Sequence, residues 1–387
     1  MMINATFQNE FLTFVKDLFP GEFPIPLHAP RFSEKEKELV FDALDTTYVS
    51  TVGEYVSEFE QRIASHTGAE YAVATNTGTA ALHTALLVCG VVENDEVVTQ
   101  SLTFVATCNA IRYCGADPVF VDVSKNTLGL SPESLSDFLN DNAEVRDDGL
   151  CWNQKTNKII RACVPMHNLG HPAEIIEIEK ICNSYRVMII EDAAESLGST
   201  SRGLHTGLVG RMGILSFNGN KIITTGGGGA LVTNDQDLAI RAKHVTTTAK
   251  ISHPWLFLHD EVGFNYRLPN INAALGCAQI EKLSHYVECK RRTAAKYLEW
   301  MTDHDVEFVT EPSNTRSNYW LNAIILSSIE ARDRFLATTN DNGVVTRPMW
   351  TPMHTLPMFR KCFRSNLDAT ENIESRLVCL PSSVRSE

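Results

Sequence analysis

Tyr71-Ala-Val-Ala-Thr-Asn-Thr-Gly-Thr79, followed by the Ala- and Leu-rich run Ala80 to Val88, reads as a buried strand, a turn and a helix. The same unit returns along the chain. Glu96-Val-Val-Thr-Gln100 leads through Ser101-Leu-Thr-Phe104 into a helix from Val105 to Tyr113. Pro118 to Val123, Ile159 to Val164 and Val187 to Asp192 are further apolar strands, with a helix around Ala173 to Tyr185 between the last two. Alternation of this kind predicts an α/β fold with a mainly parallel sheet, whose ligands gather at the carboxyl ends of the strands.

Outward from that block, Phe7, Phe11, Phe14, Val15 and Leu18 predict a short amphipathic helix stopped by Pro20-Gly21. Ser33-Glu-Lys-Glu36 has capping-box spacing, and a third helix is expected from about Glu54 to His66. Asn270 is read as the cap of one long helix to roughly Met301, bridging to a smaller α+β unit with strands at Tyr319 to Leu326, Val344 to Arg347 and Leu377 to Leu380. The expected division is an N-terminal helical segment at 1–27, a large domain at 28–262, and a linking helix with a small domain at 263–387.

The 387 residues, 43% hydrophobic and 21% charged, suffice for a large core. A net charge of −13 argues against nucleic-acid or anionic-membrane partners, both polyanions. Ten cysteines without a Cys-x-x-Cys pair read as reduced thiols. No metal motif such as His-Glu-x-x-His, signal-peptide pattern or bilayer-length apolar run is present, so a cytoplasmic protein without a metal is expected.

Ser216-Phe-Asn-Gly-Asn-Lys-Ile-Ile-Thr-Thr-Gly-Gly-Gly-Gly229 holds a lysine between a polar turn and four glycines. Lys221 there is either a solvated turn lysine or an amine nucleophile for a Schiff base with a carbonyl cofactor. Asp192, ending a strand, suits a protonated pyridine nitrogen or the N-cap of a following helix. Gly78-Thr79 suits a phosphate at a helix start, with the Thr79 and Ser216 hydroxyls as added donors, or capping alone. Phe104 can stack on a planar ring or pack in the core. Asn265 and Arg267 can reach an anion or serve turn chemistry and an ion pair. His167 can contact cofactor or substrate, or be a structural histidine.

Gly78-Thr-Ala80, Thr103-Phe-Val-Ala-Thr107, Glu191-Asp-Ala-Ala194, Ser216-Phe with Lys221, Thr225-Gly with Gly228-Gly229, and Gly263-Phe-Asn-Tyr-Arg267 occur in an order and spacing that resembles the DegT/DnrJ/EryC1/StrS sugar aminotransferases. The likeness runs from about His28 to Pro381. It implies the type I pyridoxal-phosphate aminotransferase fold and a homodimer with shared sites. It also implies Lys221 as the Schiff-base lysine, Asp192 as the pyridinium partner, Phe104 as the stacking ring, Gly78, Thr79 and Ser216 as the phosphate cradle, and Asn265 reaching the phosphate from the neighbouring subunit. Leu27-His-Ala-Pro30, Thr46-Thr-Tyr-Val-Ser50, Glu191 to Ser199 and Ser216 to Lys221 look most like the 4-aminotransferases of legionaminic-acid and bacillosamine type pathways. Those act on UDP-linked 4-keto-6-deoxy-N-acetylhexosamines with L-glutamate as donor. The rival readings are a related sugar dehydrase, which carries histidine at the lysine position, a non-catalytic binding protein on the same fold, and a nicotinamide oxidoreductase, whose glycine fingerprint is missing. Two departures from the family stand out. Glu195 replaces glutamine or histidine near the cofactor's phenolic oxygen, where it is expected to be protonated or turned to another donor, and Gly227 replaces a glutamate.

Overall fold

The computed structural model describes residues 5–385. Seven strands form the path of the central sheet: β1 (Tyr71–Thr75), β2 (Glu96–Gln100), β3 (Asp117–Val121), β4 (Lys158–Val164), β5 (Met188–Asp192), β6 (Met212–Ser216) and β7 (Gly229–Thr233). Their order is β1-β7-β6-β5-β4-β2-β3, and a hairpin of Ala143–Val145 and Cys151–Asn153 extends β4. All neighbours on the path are parallel except β7, which is antiparallel to both β1 and β6. The mainly parallel α/β sheet expected from the strand, turn and helix repeats is therefore present.

The register brings the site residues to one edge. Gly229, at the start of β7, pairs with Thr75 on one side and Ser216 on the other, so the ends of β1 and β6 meet there. A Cβ at Gly229 would lie 2.5 Å from the Thr77 carbonyl carbon, so only glycine lets the turn after β1 cross this close. Asp192 pairs with Ile214 and so lies at the same edge, one strand further.

Beyond the sheet, a four-stranded antiparallel unit runs in the order Glu307–Phe308, Asn322–Ile325, Leu377–Leu380, Arg347–Pro348. The first helix, Ala5–Leu18, buries Phe7, Phe11 and Val15 in one cluster with Tyr297, Phe335 and Leu380, and so packs on this unit. Ser33 and Glu36 form the expected capping box. The single long helix from Asn270 is corrected to two, Asn270–Ile280 and Leu283–Asp303. Asn270 does not cap the first, because its amide donates to the Tyr48 carbonyl at 2.6 Å and Pro269 holds the cap position. The break at Glu281 and Lys282 turns the Lys282 ammonium onto both Glu36 oxygens, at 2.6 and 2.7 Å. The second helix starts in the cluster around Phe59 and Phe217, with Leu283 and Val287, and ends in the one that holds Tyr297 and Met301. It thus joins the two bodies of core as a bridge. The boundaries at 27 and 262 remain our proposal.

Candidate active site

Lys221 is positioned by a buried phenylalanine. Phe217 is fully buried, its ring centroid 5.0 Å from that of Phe59. Its N–H donates to the Gly228 carbonyl and its carbonyl accepts from Thr225 N–H, which closes the loop between β6 and β7. Within that loop Lys221 N–H donates to the Asn218 carbonyl at 3.0 Å, completing a tight turn. The lysine is not the solvated turn residue of the alternative reading, since its side chain is only 12% exposed. Its Nζ lies 3.0 Å from Glu195 Oε1 and 4.1 Å above the Trp320 ring. Trp320 is fixed in turn by its indole N–H, which donates to the Asn220 carbonyl at 2.7 Å.

The lysine opens on a cavity of about 260 Å³ whose wall includes Gly78, Thr79, Phe104, Asp192, Glu195 and Ser216. The structure therefore brings together seven of the residues singled out from sequence. Gly78 and Thr79 are the first residues of the helix Gly78–Val88, capped by the Thr77 hydroxyl on Ala80 N–H. Their own amides have no partner within a helix and lie at the positive end of its dipole. A Cβ on Gly78 would approach Ser216 Cβ to 2.9 Å. Alanine there is expected to push the helix start off the strand and to weaken cofactor affinity about tenfold, an overpacking effect of one to two kcal/mol. An absorbance titration with pyridoxal phosphate checks it.

Asp192 is buried, and Thr107 Oγ1 donates to its Oδ2 at 2.7 Å while Ala194 N–H donates to Oδ1 at 3.2 Å. The N-cap alternative is corrected, because a turn, not a helix, follows. Burial raises the Asp192 carboxyl above its ordinary value. Phe104 begins the helix Val105–Tyr113, is 46% exposed and meets Trp350 edge-on at 5.8 Å. Its open face is available for stacking.

Glu195 is buried and accepts from two donors, Lys221 Nζ and, at 2.9 Å, Leu169 N–H. Burial pushes its carboxyl up from 4.5 to about 7, although Lys221 opposes the shift. A group raised on folding adds stability below its unfolded value that is lost as pH rises through the folded one. Between pH 4.5 and 7 the cofactor-free protein is therefore expected to lose on the order of 3 kcal/mol that Glu195→Gln does not lose. Parallel melting curves of the two proteins across that range would refute this if their difference stayed flat.

The structure does not bring the remaining candidates to the cavity. His167 is fully buried with both nitrogens committed, Nδ1 accepting from Ala173 N–H at 3.0 Å and Nε2 donating to Glu191 Oε2 at 2.9 Å. Its substrate role is replaced by a structural one: it helps hold Glu191, which also accepts from three backbone amides, of Gly207, Val209 and Gly210. Asn265 Oδ1 accepts from Arg267 Nε at 3.0 Å, and both lie outside this chain's own cavity wall, beside Thr247 and Thr75. Thr107, Trp320 and Trp350 were not assigned from sequence. Thr107 ends the Thr103–Thr107 motif and Trp320 lies in a stretch read as a strand, whereas no sequence signal marks Trp350. At Gly227 an added Cβ would meet nothing closer than the Asn76 carbonyl at 3.8 Å, so packing does not require glycine there. On the surface, His244, Asp260 and Glu261 hold ligand atoms within 4.8 Å of one another, a grouping that sequence spacing did not show. Arg241 already pairs with Glu261, so no ion is assigned.

The residues fit pyridoxal phosphate. A buried carboxylate without a cation, an amine at the opposite wall, an exposed aromatic face and an open helix start with a serine hydroxyl match its pyridine nitrogen, carbonyl, ring and phosphate. A profile of the DegT/DnrJ/EryC1/StrS aminotransferase family matches residues 30–386. The GDP-perosamine synthase of Escherichia coli O157:H7 is 35% identical over 358 residues, covering 92% of this chain and 93% of its own length. That of Caulobacter vibrioides is 33% identical over 354 residues, 90% of each. Among solved structures, DesI in the presence of its TDP-sugar product superposes with a TM-score of 0.81 at 27% identity, covering 96% of this chain and 91% of that one. A DegT/DnrJ/EryC1/StrS aminotransferase from Brucella abortus gives 0.82 at 26% identity, 90% of each.

Proposed function

We propose, for a chain that belongs to the DegT/DnrJ/EryC1/StrS family of pyridoxal-phosphate-dependent sugar aminotransferases, the transfer of the amino group of L-glutamate to the C4 keto carbon of a nucleotide-linked deoxy sugar. The observation that carries this is the single cavity shared by Lys221, Asp192 and the Gly78–Thr79 helix start. When bound, pyridoxal phosphate supplies an electrophilic carbonyl for the amine and an electron sink for the carbanion.

The protein's own groups do the rest. Gly78, Thr79 and Ser216 would hold the phosphate, Asp192 would keep the pyridine nitrogen protonated, and Phe104 would cover the ring face. The Lys221 amine moves the proton at the donor's Cα, and in the second half-reaction returns one to the sugar carbon. Glu195 holds that amine at 3.0 Å through Oε1 and accepts the Leu169 N–H through Oε2. Lys221 stands against the dehydrase reading, which calls for histidine.

The substrate we favour is a UDP-4-keto-6-deoxy-N-acetylhexosamine, destined for a surface glycan. GDP-linked keto sugars are the second reading, favoured by the names of the two perosamine synthases. Incubating holoenzyme and glutamate with UDP-, GDP- and dTDP-linked 4-keto-6-deoxy sugars, read by product mass, decides between them, and no amination of any of them would sink the proposal.

A cytoplasmic homodimer is part of the same reading. Among the described residues no helix is long and apolar enough to cross a membrane. Trp255, Phe257 and Val262, each more than three-quarters exposed, lead directly to Gly263–Arg267, which supports a partner subunit there and Asn265 reaching its site.

A further inference from the structure

Neither ring nitrogen of His28 has a partner, although both are buried from solvent. Buried polar atoms are satisfied in the great majority of cases, so an orphaned pair points to a ligand. The ring belongs to the wall of a second cavity, of about 430 Å³, with Asn220, Trp320, Arg347, Trp350 and Thr351. Asn220, Trp320 and Trp350 also line the lysine cavity, so the two spaces adjoin.

The charged side chain on the wall of the second cavity is a cation, Arg347, in a chain of net charge −13. No carboxylate lines it. The hydrogen bonds of the exposed Arg347 guanidinium run through Nη1, to Asn340 Oδ1 at 2.9 Å and the Thr346 carbonyl at 2.8 Å, which leaves Nε and Nη2 without a protein partner among the described residues. Lys290 is fully buried nearby and donates to the Ser382 carbonyl. Burial, then Lys290, then Lys221 hold His28 well below its ordinary value, so the ring is neutral with one N–H to give. An anion here meets a guanidinium edge and, beside it, a neutral imidazole whose N–H has no partner.

We propose that this second cavity seats the distal carboxylate of a dicarboxylic amino donor, held by His28 and Arg347, while the donor's amine lies at Lys221. The inference rests on the aminotransferase reading above and adds the donor's binding residues to it. A single carboxylate suits one imidazole N–H and one guanidinium edge. Because Asn220, Trp320 and Trp350 line both spaces, a group seated in the second lies within a short chain of an atom that reacts at Lys221. That describes a five-carbon diacid better than a diphosphate, which lies several bonds from the C4 carbon of a sugar.

Glutarate, with two carboxylates and no amine, is the probe. Titrated calorimetrically into holoenzyme, it is expected to bind at least tenfold more tightly than butyrate, the size of effect a charge-assisted hydrogen bond gives. His28→Gln and Arg347→Gln are each expected to erase that preference while the imine absorbance and melting temperature hold. Equal affinity for glutarate and butyrate in the wild type would overturn the proposal. So would variants that weaken UDP or GDP binding and leave glutarate untouched, which would give the cavity to the nucleotide sugar. A wild type without imine absorbance would instead remove the underlying reading of Lys221, and this inference with it.

Discussion

Lys221→Ala is expected to lower transamination by at least roughly three to four orders of magnitude, the upper range for losing a positioned acid–base group. Among the described residues Lys221 is the only primary amine on the cavity wall, so no neighbour there can take over either attachment to the cofactor or movement of the Cα proton. The substitution also changes the electrostatics. Glu195 loses its one ammonium partner and, buried with only Leu169 N–H, becomes still harder to ionise. Lys221→Arg separates the two effects, because it keeps a cation beside Glu195 and over Trp320 but supplies no amine for an imine. Borohydride reduction followed by peptide mass mapping reads attachment directly. Wild type should carry the cofactor on Lys221 and both variants on no residue. Labelling of another lysine in Lys221→Ala, or retention of a hundredth of the activity, would show that the organising residue lies elsewhere.

The legible parts of the chain were those in which local chemistry and tertiary contact agree. Apolar runs closed by turn residues marked the strands that end at Thr75, Gln100, Val164 and Asp192, because a strand buried on both faces has no other way to be written. Gly229, in the four-glycine run, lets the Thr77 backbone pass where a Cβ would lie 2.5 Å from it. What stayed hidden depends on contacts between remote segments. Trp320 meets Lys221 across a separation of about a hundred residues, and Trp350 meets Phe104 across a longer one, with nothing periodic to announce either. Tyr319, read as part of a strand, has φ of 47°, which breaks the strand and leaves it to begin at Asn322. His167 shows the opposite failure. A histidine at a strand end invites a catalytic reading, and only the geometry reveals that Glu191 and Ala173 take both nitrogens. Asn270 failed as a cap for the same reason, since the loop ending at Ser50 competes for it through the Tyr48 carbonyl.

Asp192→Asn is expected to cut kcat by about two to three orders of magnitude, the usual effect of removing one preorganised charge from a buried site. The shape of the site largely survives the change, because Thr107 Oγ1 can donate to the amide oxygen as it does to Oδ2, although Ala194 N–H loses the weaker acceptor that it has in Oδ1 at 3.2 Å. The ring nitrogen, however, loses the anion that keeps it protonated. Stability supplies an independent readout with the opposite sign. Asp192 is raised by burial, so its contribution is present below the ordinary carboxylate value of 3.8 and is lost as pH rises through the folded one. Once ionised, Asp192 in the cofactor-free wild type is a buried charge that Thr107, Ala194 N–H and the Lys221 charge only partly offset, and the asparagine variant carries no such charge. The cofactor-free variant is expected to melt at or above the wild type, while the rise in melting temperature on adding pyridoxal phosphate becomes smaller. A purely structural aspartate would do the reverse: cofactor-free Asp192→Asn would melt lower, and the increment from pyridoxal phosphate would stay the same. The two melting differences, measured beside kcat, thus separate a partner for the pyridine nitrogen from a residue that only anchors the turn between Asp192 and Ser199.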